Sequence, residues 1–334
     1  SICNSLIFIL PIMKNKTQEY SLATLHTVKS YIVAFSILVS LSFAISENIN
    51  LYSTDQEDFA NIPVDDFTFT ARVGGIDNEG DPIILLHGFP ETSRMWKDLI
   101  SLLDENNLQV VAPDQRGYSP GARPKGVDSY KIDLLAKDIM DIADAFGFER
   151  FHLAGHDWGS AVGWYIASKY PDRLLTWSAL SVPHMDAFID AMEEDEIQKK
   201  KSGYISFFRM SLLPELYFKI FGYRNLKSLW TDSSEDEIDD YIDVFSQKNA
   251  LKTSLHWYRA NLAKRDDRIG KINVPTLMIS GLNDMAVGET AVDNTQLYIN
   301  APYTLKKIEA GHWLIQESFD EVSKSIVEHA NKNR

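Results

Sequence analysis

Short, continuous runs of apolar residues alternate with longer amphipathic stretches through most of the chain. The run IILL (83–86) is apolar at every position, as in strands that are buried on both faces of a parallel sheet. The segment 129–147 instead places apolar residues at helical spacing, and it ends at Gly147, a residue typical of helix C-termini. We therefore expect alternating strands and helices, which is typical of α/β proteins with a mainly parallel, doubly wound sheet.

The same patterns predict the other elements and the domain organisation. Further strands are expected within 64–75, 108–119, 150–154, 174–182, 274–284 and 303–308, and further helices at 93–104, at 160–170 and from about 317. The rhythm breaks in a stretch that is rich in aromatic and charged residues, with helical periodicity, and Ser234 and Glu237 there have capping-box spacing. A helical block inserted late in a parallel sheet predicts a cap over an active site. The predicted organisation is 1–45 as a separate N-terminal segment, 46–183 as the first part of the core, 184–268 as the helical cap and 269–334 as the second part of the core.

The stretch LAGHDWGSAVGW (153–164) places Asp157 between small residues at a predicted strand-to-helix junction. A turn of this kind, the nucleophile elbow, displays a nucleophile above the C-terminal edge of the sheet. The dipole of the following helix favours an anion there. Aspartate is also a common helix N-cap. The turn alone therefore leaves two interpretations of Asp157 open.

Three more motifs follow predicted strands, in an order that favours catalysis. The HGFP loop offers the backbone N–H of Phe89, which together with that of Trp158 would form a two-donor oxyanion hole. The motif GLND ends in Asp284, a candidate orienting acid, and GHW contains His312, a candidate base. The chain order nucleophile, acid, histidine is the one expected of an α/β-hydrolase.

On the motifs HGFP and GHDWG, and on the loop DQRGYSPGARP (114–124), the chain resembles α/β-hydrolases of the epoxide hydrolase and haloalkane dehalogenase group. The resemblance covers residues 64–330 and implies the α/β-hydrolase fold with an inserted helical cap. It also implies these roles: Asp157 as nucleophile, His312 as base, Asp284 as its partner, and Phe89 and Trp158 as oxyanion donors.

The chemistry of a carboxylate explains an aspartate at this elbow. A serine that attacked an alkyl carbon would form an ether, which the enzyme could not hydrolyse. A carboxylate forms an ester whose carbonyl belongs to the enzyme, so water activated by His312 can cleave it. Asp157 therefore favours alkyl-carbon substrates over the acyl substrates of esterases, lipases and peptidases.

The leaving group must be inferred from the cap. The departing oxygen of an epoxide needs a proton donor, and by resemblance two cap tyrosines supply it: Tyr204 in SGYISFFRM and Tyr258 in HWYRANL. The segment around Tyr258 matches its family motif more closely than the segment around Tyr204, because the residues that usually follow the first tyrosine in the family are replaced after Tyr204. We predict an epoxide hydrolase that acts on a small apolar epoxide and water. A haloalkane dehalogenase with the same triad and a non-catalytic ligand-binding homologue stay open as alternatives.

Composition narrows the range of partners. The chain has 334 residues, 33 of them basic and 47 acidic, and its net charge of −14 argues against nucleic acid or an anionic membrane surface as the main partner. The single cysteine, Cys3, precedes the predicted core, so no disulfide or cysteine metal site is expected there. The sequence indicates no cofactor, no metal and no obligate protein partner.

The N-terminal segment carries a second apolar feature. Lys14, Lys16 and Lys29 precede the run YIVAFSILVSLSFAI (31–45), which resembles a signal peptide and is short for a membrane span. If this run is cleaved, the protein is exported to the periplasm or secreted. If it is retained, the run anchors the protein to a membrane.

Overall fold

The computed structural model describes residues 49–54, 57–261 and 264–333. These residues form one nine-stranded sheet, in the order β1-β2-β3-β5-β4-β6-β7-β8-β9. The strands are β1 (Asn50–Ser53), β2 (Asp58–Val64), β3 (Phe67–Gly74), β4 (Pro82–Leu86), β5 (Gln109–Pro113), β6 (Phe151–His156), β7 (Leu174–Leu180), β8 (Thr276–Gly281) and β9 (Tyr303–Ile308).

The sheet is antiparallel at one edge and parallel from β5 to β9. β1, β2, β3 and β5 pair antiparallel, whereas β5, β4, β6, β7, β8 and β9 pair parallel. The central strand β6 is buried along its whole length, as expected of a strand covered on both faces. The C-terminal ends of the parallel strands share one edge of the sheet, where sites of α/β proteins form. The predicted mainly parallel, doubly wound architecture is confirmed.

Helices cover the sheet and form an insertion after β7. They are α1 (Lys97–Glu105), α2 (Ile132–Ala145), α3 (Trp158–Lys169), α4 (Met185–Glu194), α5 (Glu196–Lys201), α6 (Gly203–Phe208), α7 (Leu213–Lys227), α8 (Glu235–Ser246), α9 (Ala250–Ala260), α10 (Glu289–Asn294), α11 (Leu314–Glu317) and α12 (Phe319–Lys332). Helices α4–α9 lie between β7 and β8, so the inserted helical cap of the predicted fold is confirmed. The hydroxyl of Ser234 accepts from the N–H of Glu237 at 3.2 Å, as the capping spacing predicted. The boundaries 184–268 stay predictions.

Several local expectations differ from the structure. The stretch 64–75 is not one strand, because a two-residue turn at 65–66 separates β2 from β3. The predicted helix 93–104 starts as a 3₁₀ turn, Ser93–Trp96, before α1. The helix predicted over 129–147 begins only at Ile132, because Ser129 belongs to a separate 3₁₀ turn, Val127–Tyr130, and the extended backbone of Lys131 separates the two.

The N-terminal predictions lie outside the described residues. They concern the apolar run 31–45 and Cys3. In the part of the chain that the structure describes, no helix is both long and apolar enough to cross a membrane.

Candidate active site

Asp157 lies at the junction of β6 and α3 in a backbone conformation that displays its side chain. Its φ of 52° and ψ of −119° fall outside the regions that non-glycine residues favour. The turn is tight, because a Cβ on Gly155 would lie 2.5 Å from the carbonyl oxygen of Gly159. The Asp157 carboxylate makes no capping hydrogen bond to α3. Of the two interpretations of this residue, the geometry therefore contradicts the helix cap and fits the elbow.

The two oxygens of the buried Asp157 carboxylate have different neighbours. Oδ1 accepts a 2.8 Å hydrogen bond from the backbone N–H of Phe89. Oδ2 lies 3.6 Å from Nε2 of His312. The backbone N–H of Trp158, the second predicted donor, is at the first position of α3, where the helix offers no acceptor. Within the described residues it makes no hydrogen bond to Asp157, so its role stays a prediction.

His312 follows β9 and Asp284 follows β8, and the parallel pairing of these strands brings them together. Nδ1 of His312 lies 3.1 Å and 3.0 Å from the two carboxylate oxygens of Asp284. Because a carboxylate only accepts, Nδ1 is the donor, which leaves Nε2 directed at Asp157. The N–H groups of Ala286 and Val287 also donate to Oδ1 of Asp284, at 2.7 and 3.0 Å. The three residues predicted as a triad are therefore in one chain of contacts.

The charges of this group shift two pKa values in opposite directions. Burial alone would raise the pKa of Asp284, but the charge and hydrogen bond of His312, with further donors, hold it well below its usual range. Burial alone would lower the pKa of His312. The carboxylates of Asp284 and Asp157 outweigh it and hold that pKa well above its ordinary value. These contacts therefore favour the protonated form of the His312 imidazole at neutral pH.

Ser181 is a site residue that the sequence analysis missed. It comes directly after β7, is fully buried, and has a left-handed backbone with φ of 67°. Its hydroxyl donates to Oδ2 of Asp284 at 2.7 Å and lies 3.0 Å from Nδ1 of His312. The signal in the sequence was its position at the C-terminal end of a buried strand, next to the strands that carry the predicted triad.

Two further residues that the sequence analysis missed, His156 and Glu91, hold the loop that carries His312. His156, one residue before Asp157, has Nδ1 3.0 Å from Oε2 of Glu91 and Nε2 2.8 Å from the backbone oxygen of His312. Both His156 and Glu91 are fully buried. The signal in the sequence was that His156 belongs to the GHDWG motif and that Glu91 directly follows HGFP. This pair ties the His312 loop to the elbow.

The two predicted cap tyrosines face the same cavity as Asp157. Tyr204 lies on α6 and Tyr258 on α9, with ring centroids 6.2 Å apart. Burial, and next the charge of Asp157, raises the pKa of both hydroxyls far above the ordinary tyrosine value. A hydrogen bond from the Trp158 side chain to Tyr258 acts in the opposite direction. Both phenols therefore stay protonated and able to donate at neutral pH.

The cavity has a volume of about 590 Å³ and a mainly apolar lining. Asp157, Trp158, Tyr204 and Tyr258 line it. Its apolar walls include Ala161, Val182, Met185, Phe188, Ile189 and Met192. Exposed charged residues such as Lys131 and Arg209 also border it, which marks its opening to solvent. The aromatic ring of Phe89 packs against four other rings, with centroids 5.5 to 6.0 Å apart: those of Phe208, Phe218, Phe245 and Tyr258.

The fold, the elbow and the order of these residues define an α/β-hydrolase with an aspartate at the nucleophile position. A family model of the α/β hydrolase fold matches residues 81–202. The AB hydrolase superfamily protein YfhM of Bacillus subtilis is 33% identical over 271 residues, which cover 78% of this chain and 94% of that protein. Human epoxide hydrolase 4 is 33% identical over 260 residues, or 74% of this chain and 72% of that protein.

A solved structure agrees with these relatives. A mutant epoxide hydrolase from Bacillus megaterium, complexed with its product (R)-3-[1]naphthyloxy-propane-1,2-diol, superposes with a TM-score of 0.71 at 25% identity. The match covers 79% of this chain and 97% of that one. The chain therefore belongs to the α/β-hydrolase family, and within it to the group of epoxide hydrolase-like hydrolases.

Proposed function

We propose that the protein opens epoxides to vicinal diols through an ester on Asp157. The observation that carries the proposal is the pair of protonated phenols, Tyr204 and Tyr258, which line the same cavity as the carboxylate. An epoxide between them meets a nucleophile on one side and proton donors on the other. A substrate whose leaving group needs no proton would have no use for this pair.

In the first step, Oδ2 of Asp157 attacks a ring carbon, and the ring C–O bond breaks. The bonding pair passes to the ring oxygen, which takes a proton from Tyr258 or Tyr204. Oδ1, held by the N–H of Phe89 at 2.8 Å, becomes the carbonyl oxygen of the ester. Ester formation removes the negative charge that helps to keep His312 protonated. His312 then returns its proton to the tyrosinate and becomes neutral.

In the second step, neutral His312 removes a proton from water, and the hydroxide attacks the ester carbonyl. The developing oxyanion is stabilised by the N–H of Phe89 and, as predicted, by that of Trp158. Collapse breaks the bond between the carbonyl carbon and the substrate oxygen. The diol alkoxide takes the second water proton from the carboxyl group of Asp157, which regenerates the carboxylate.

The immediate surroundings of Trp158 favour an epoxide over a haloalkane. A halide leaving group would need N–H donors in the cavity. The side chain of Trp158 is instead hydrogen-bonded to Tyr258, and Phe89 presents an aromatic ring. The apolar walls of the 590 Å³ cavity fit a small or medium apolar epoxide.

Product analysis separates the proposed activity from its alternatives. The purified chain is incubated with styrene oxide and, in parallel, with 1,2-dibromoethane, and diol and bromide release are followed. Diol from styrene oxide supports the proposal. Release of bromide without diol would indicate a dehalogenase. If neither product forms, the result would favour the ligand-binding homologue.

A single turnover in H₂¹⁸O tests the ester itself. Because water attacks the enzyme carbonyl, the first ¹⁸O atom should enter Asp157, and the first diol should carry the original carboxylate oxygen. His312→Gln should trap the ester as a mass increase on the peptide that contains Asp157. Asp157→Ala should be inactive and is the matched control. An active Asp157→Ala chain, or ¹⁸O in the first diol, would contradict the mechanism.

A further inference from the structure

Large apolar side chains are concentrated on one exposed stretch of the cap. Of the fourteen large apolar residues that are well exposed in the described part of the chain, seven lie between residues 210 and 221. Six of them are Met210, Leu212, Leu213, Leu216, Ile220 and Phe221, with exposed fractions from 48% to 80%. Exposed apolar residues in such density mark an interaction surface. We call residues 209–227 the cap surface.

The charge of the cap surface is opposite in sign to that of the whole chain. Arg209, Lys219, Arg224 and Lys227 are exposed among its apolar residues. The one acidic residue between 209 and 231 is Glu215, which is buried and paired with Arg259 at 2.9 Å. The chain nevertheless has a net charge of −14. The cap surface itself is therefore cationic, and exposed acidic residues resume directly after it, at Asp232, Glu235 and Asp236.

The backbone holds the most exposed apolar residue outward. Phe221, Gly222 and Tyr223 interrupt α7 in the left-handed region, with φ values of 51°, 66° and 64°. Two of these three are not glycine, so the conformation costs on the order of 1 kcal/mol or more at each. Phe221, which this turn displays, is 80% exposed. Tyr223 packs against the core, and its hydroxyl donates to the backbone oxygen of Phe245 at 3.4 Å, but the same turn leaves the ring of Phe221 in solvent, available for a contact outside the fold.

We propose that the cap surface docks on an anionic lipid bilayer. Apolar side chains surrounded by lysine and arginine, without exposed acids, are the pattern of segments that lie in a membrane interface. A second copy of the chain fits less well, because two such surfaces would bring eight cations together. The contact would also serve substrate delivery, because Arg209 borders the cavity and α6, with Tyr204, directly precedes the surface. Docking itself does not depend on the proposed reaction.

The experiment reads out which face of the full-length chain meets lipid. Cys3 is replaced by serine, and a single cysteine at position 221 (Phe221→Cys) carries a nitrobenzoxadiazole label. The control is Glu149→Cys, an exposed position just before β6 and so at the edge of the sheet opposite the cap. Both chains contain 31–45, so any attachment through that run is the same in both, and only the site of the label differs.

With phosphatidylglycerol-containing vesicles, the label at 221 should shift to the blue and be quenched by brominated lipid, and the label at 149 should do neither. Replacing Lys219, Arg224 and Lys227 by glutamine should raise the lipid concentration at half-maximal signal by about fivefold per cation, or about 100-fold in all. Circular dichroism checks that this variant is folded. No shift at 221, equal shifts at both positions, or equal binding to pure phosphatidylcholine would overturn the proposal. A blue shift without lipid that grows with protein concentration would assign the surface to a second copy and overturn it as well.

Discussion

Replacing Ser181 by alanine separates the two halves of the proposed reaction. The Ser181 hydroxyl contacts Oδ2 of Asp284 at 2.7 Å and Nδ1 of His312 at 3.0 Å, and neither group has to change protonation for the ring-opening attack. Both matter when His312 accepts a proton from water. Ser181→Ala should therefore slow hydrolysis of the ester and leave its formation almost unchanged.

The expected size follows from what Asp284 retains. Without the hydroxyl, its carboxylate still accepts from His312, Ala286 and Val287, so it keeps its position. The loss is one hydrogen bond to a charged group, worth about 1.5–3 kcal/mol. Part of that loss is already present before the reaction, because Asp284 is ionised throughout. We therefore expect the lower end of this energy range, which corresponds to a slowing of ester hydrolysis of about tenfold.

The assay is a rapid-quench single turnover on styrene oxide. Mass spectrometry of the intact chain gives the rise and decay of the ester on Asp157. In Ser181→Ala the ester should rise at the wild-type rate, accumulate to a higher level and decay about tenfold more slowly. Ser178→Ala is the matched control, since Ser178 lies on the same buried strand and, in the described residues, makes no hydrogen bond to the triad. It should leave both rates unchanged.

Two results would refute this reasoning. An equal loss in both half-reactions would mean that Ser181 only maintains the fold of the site. An unchanged decay would mean that the contacts with Asp284 and His312 do not act on the base. The split between the two rates distinguishes these cases because general destabilisation affects both steps together.

Three further changes test other contacts of the site. Tyr258→Phe should slow ester formation, measured by rapid quench, by about 10²-fold or more, and Tyr204→Phe should slow it to a similar or smaller extent. The double variant should nearly abolish ester formation. If the double variant forms the ester at the wild-type rate, the tyrosines are not the proton donors. Asp157→Asn removes one of the carboxylates that hold the pKa of His312 up, so NMR titration should show a lower pKa for this imidazole. The protonated imidazole contributes stability below about pH 6.5, and this contribution is lost as pH rises through the folded-state pKa. In urea unfolding, the variant should therefore lose this stability at a lower pH than the wild type. Gly88→Ala would place a Cβ 2.3 Å from Oδ1 of Asp157, so the carboxylate would have to move. The value of kcat/KM should therefore fall by about 10²-fold. Wild-type kinetics in this variant would mean that the close approach of Gly88 does not constrain the nucleophile.

The sheet and the elbow were predictable because their signals are local. Strands such as β4 and β5 carry runs of successive apolar residues, IILL and VVAP, and the small residues around Asp157 are required by the tight backbone turn there. β1 and β2 were harder. All four residues of β1 are exposed, so no apolar pattern marks it, and it is held by pairing with β2.

The contacts of Ser181 were not predictable from the sequence for a different reason. Its hydroxyl meets Asp284 and His312, which lie 103 and 131 residues further along the chain. A serine at the end of a buried strand resembles any small residue until the neighbouring strands are placed beside it. The cap tyrosines differ from Ser181, because the resemblance of their segments to family motifs singled out Tyr204 and Tyr258 among fourteen tyrosines, and the packing of α6 and α9 then places both at the cavity.

The net charge describes the average surface, whereas the proposed lipid contact would depend on one part of it. Charges on a solvated surface are screened over about 8 Å at physiological salt, far less than the width of this protein. A docked membrane would therefore respond mainly to the charges within and beside the contact, which include Asp232 at its end as well as the cations, and scarcely to charges far from it. For the cap surface the relevant set is Arg209, Lys219, Arg224 and Lys227, with no exposed acid between 209 and 231. A chain of charge −14 can thus present one cationic, apolar face to an anionic bilayer, and the salt dependence of docking should follow those four residues rather than the total.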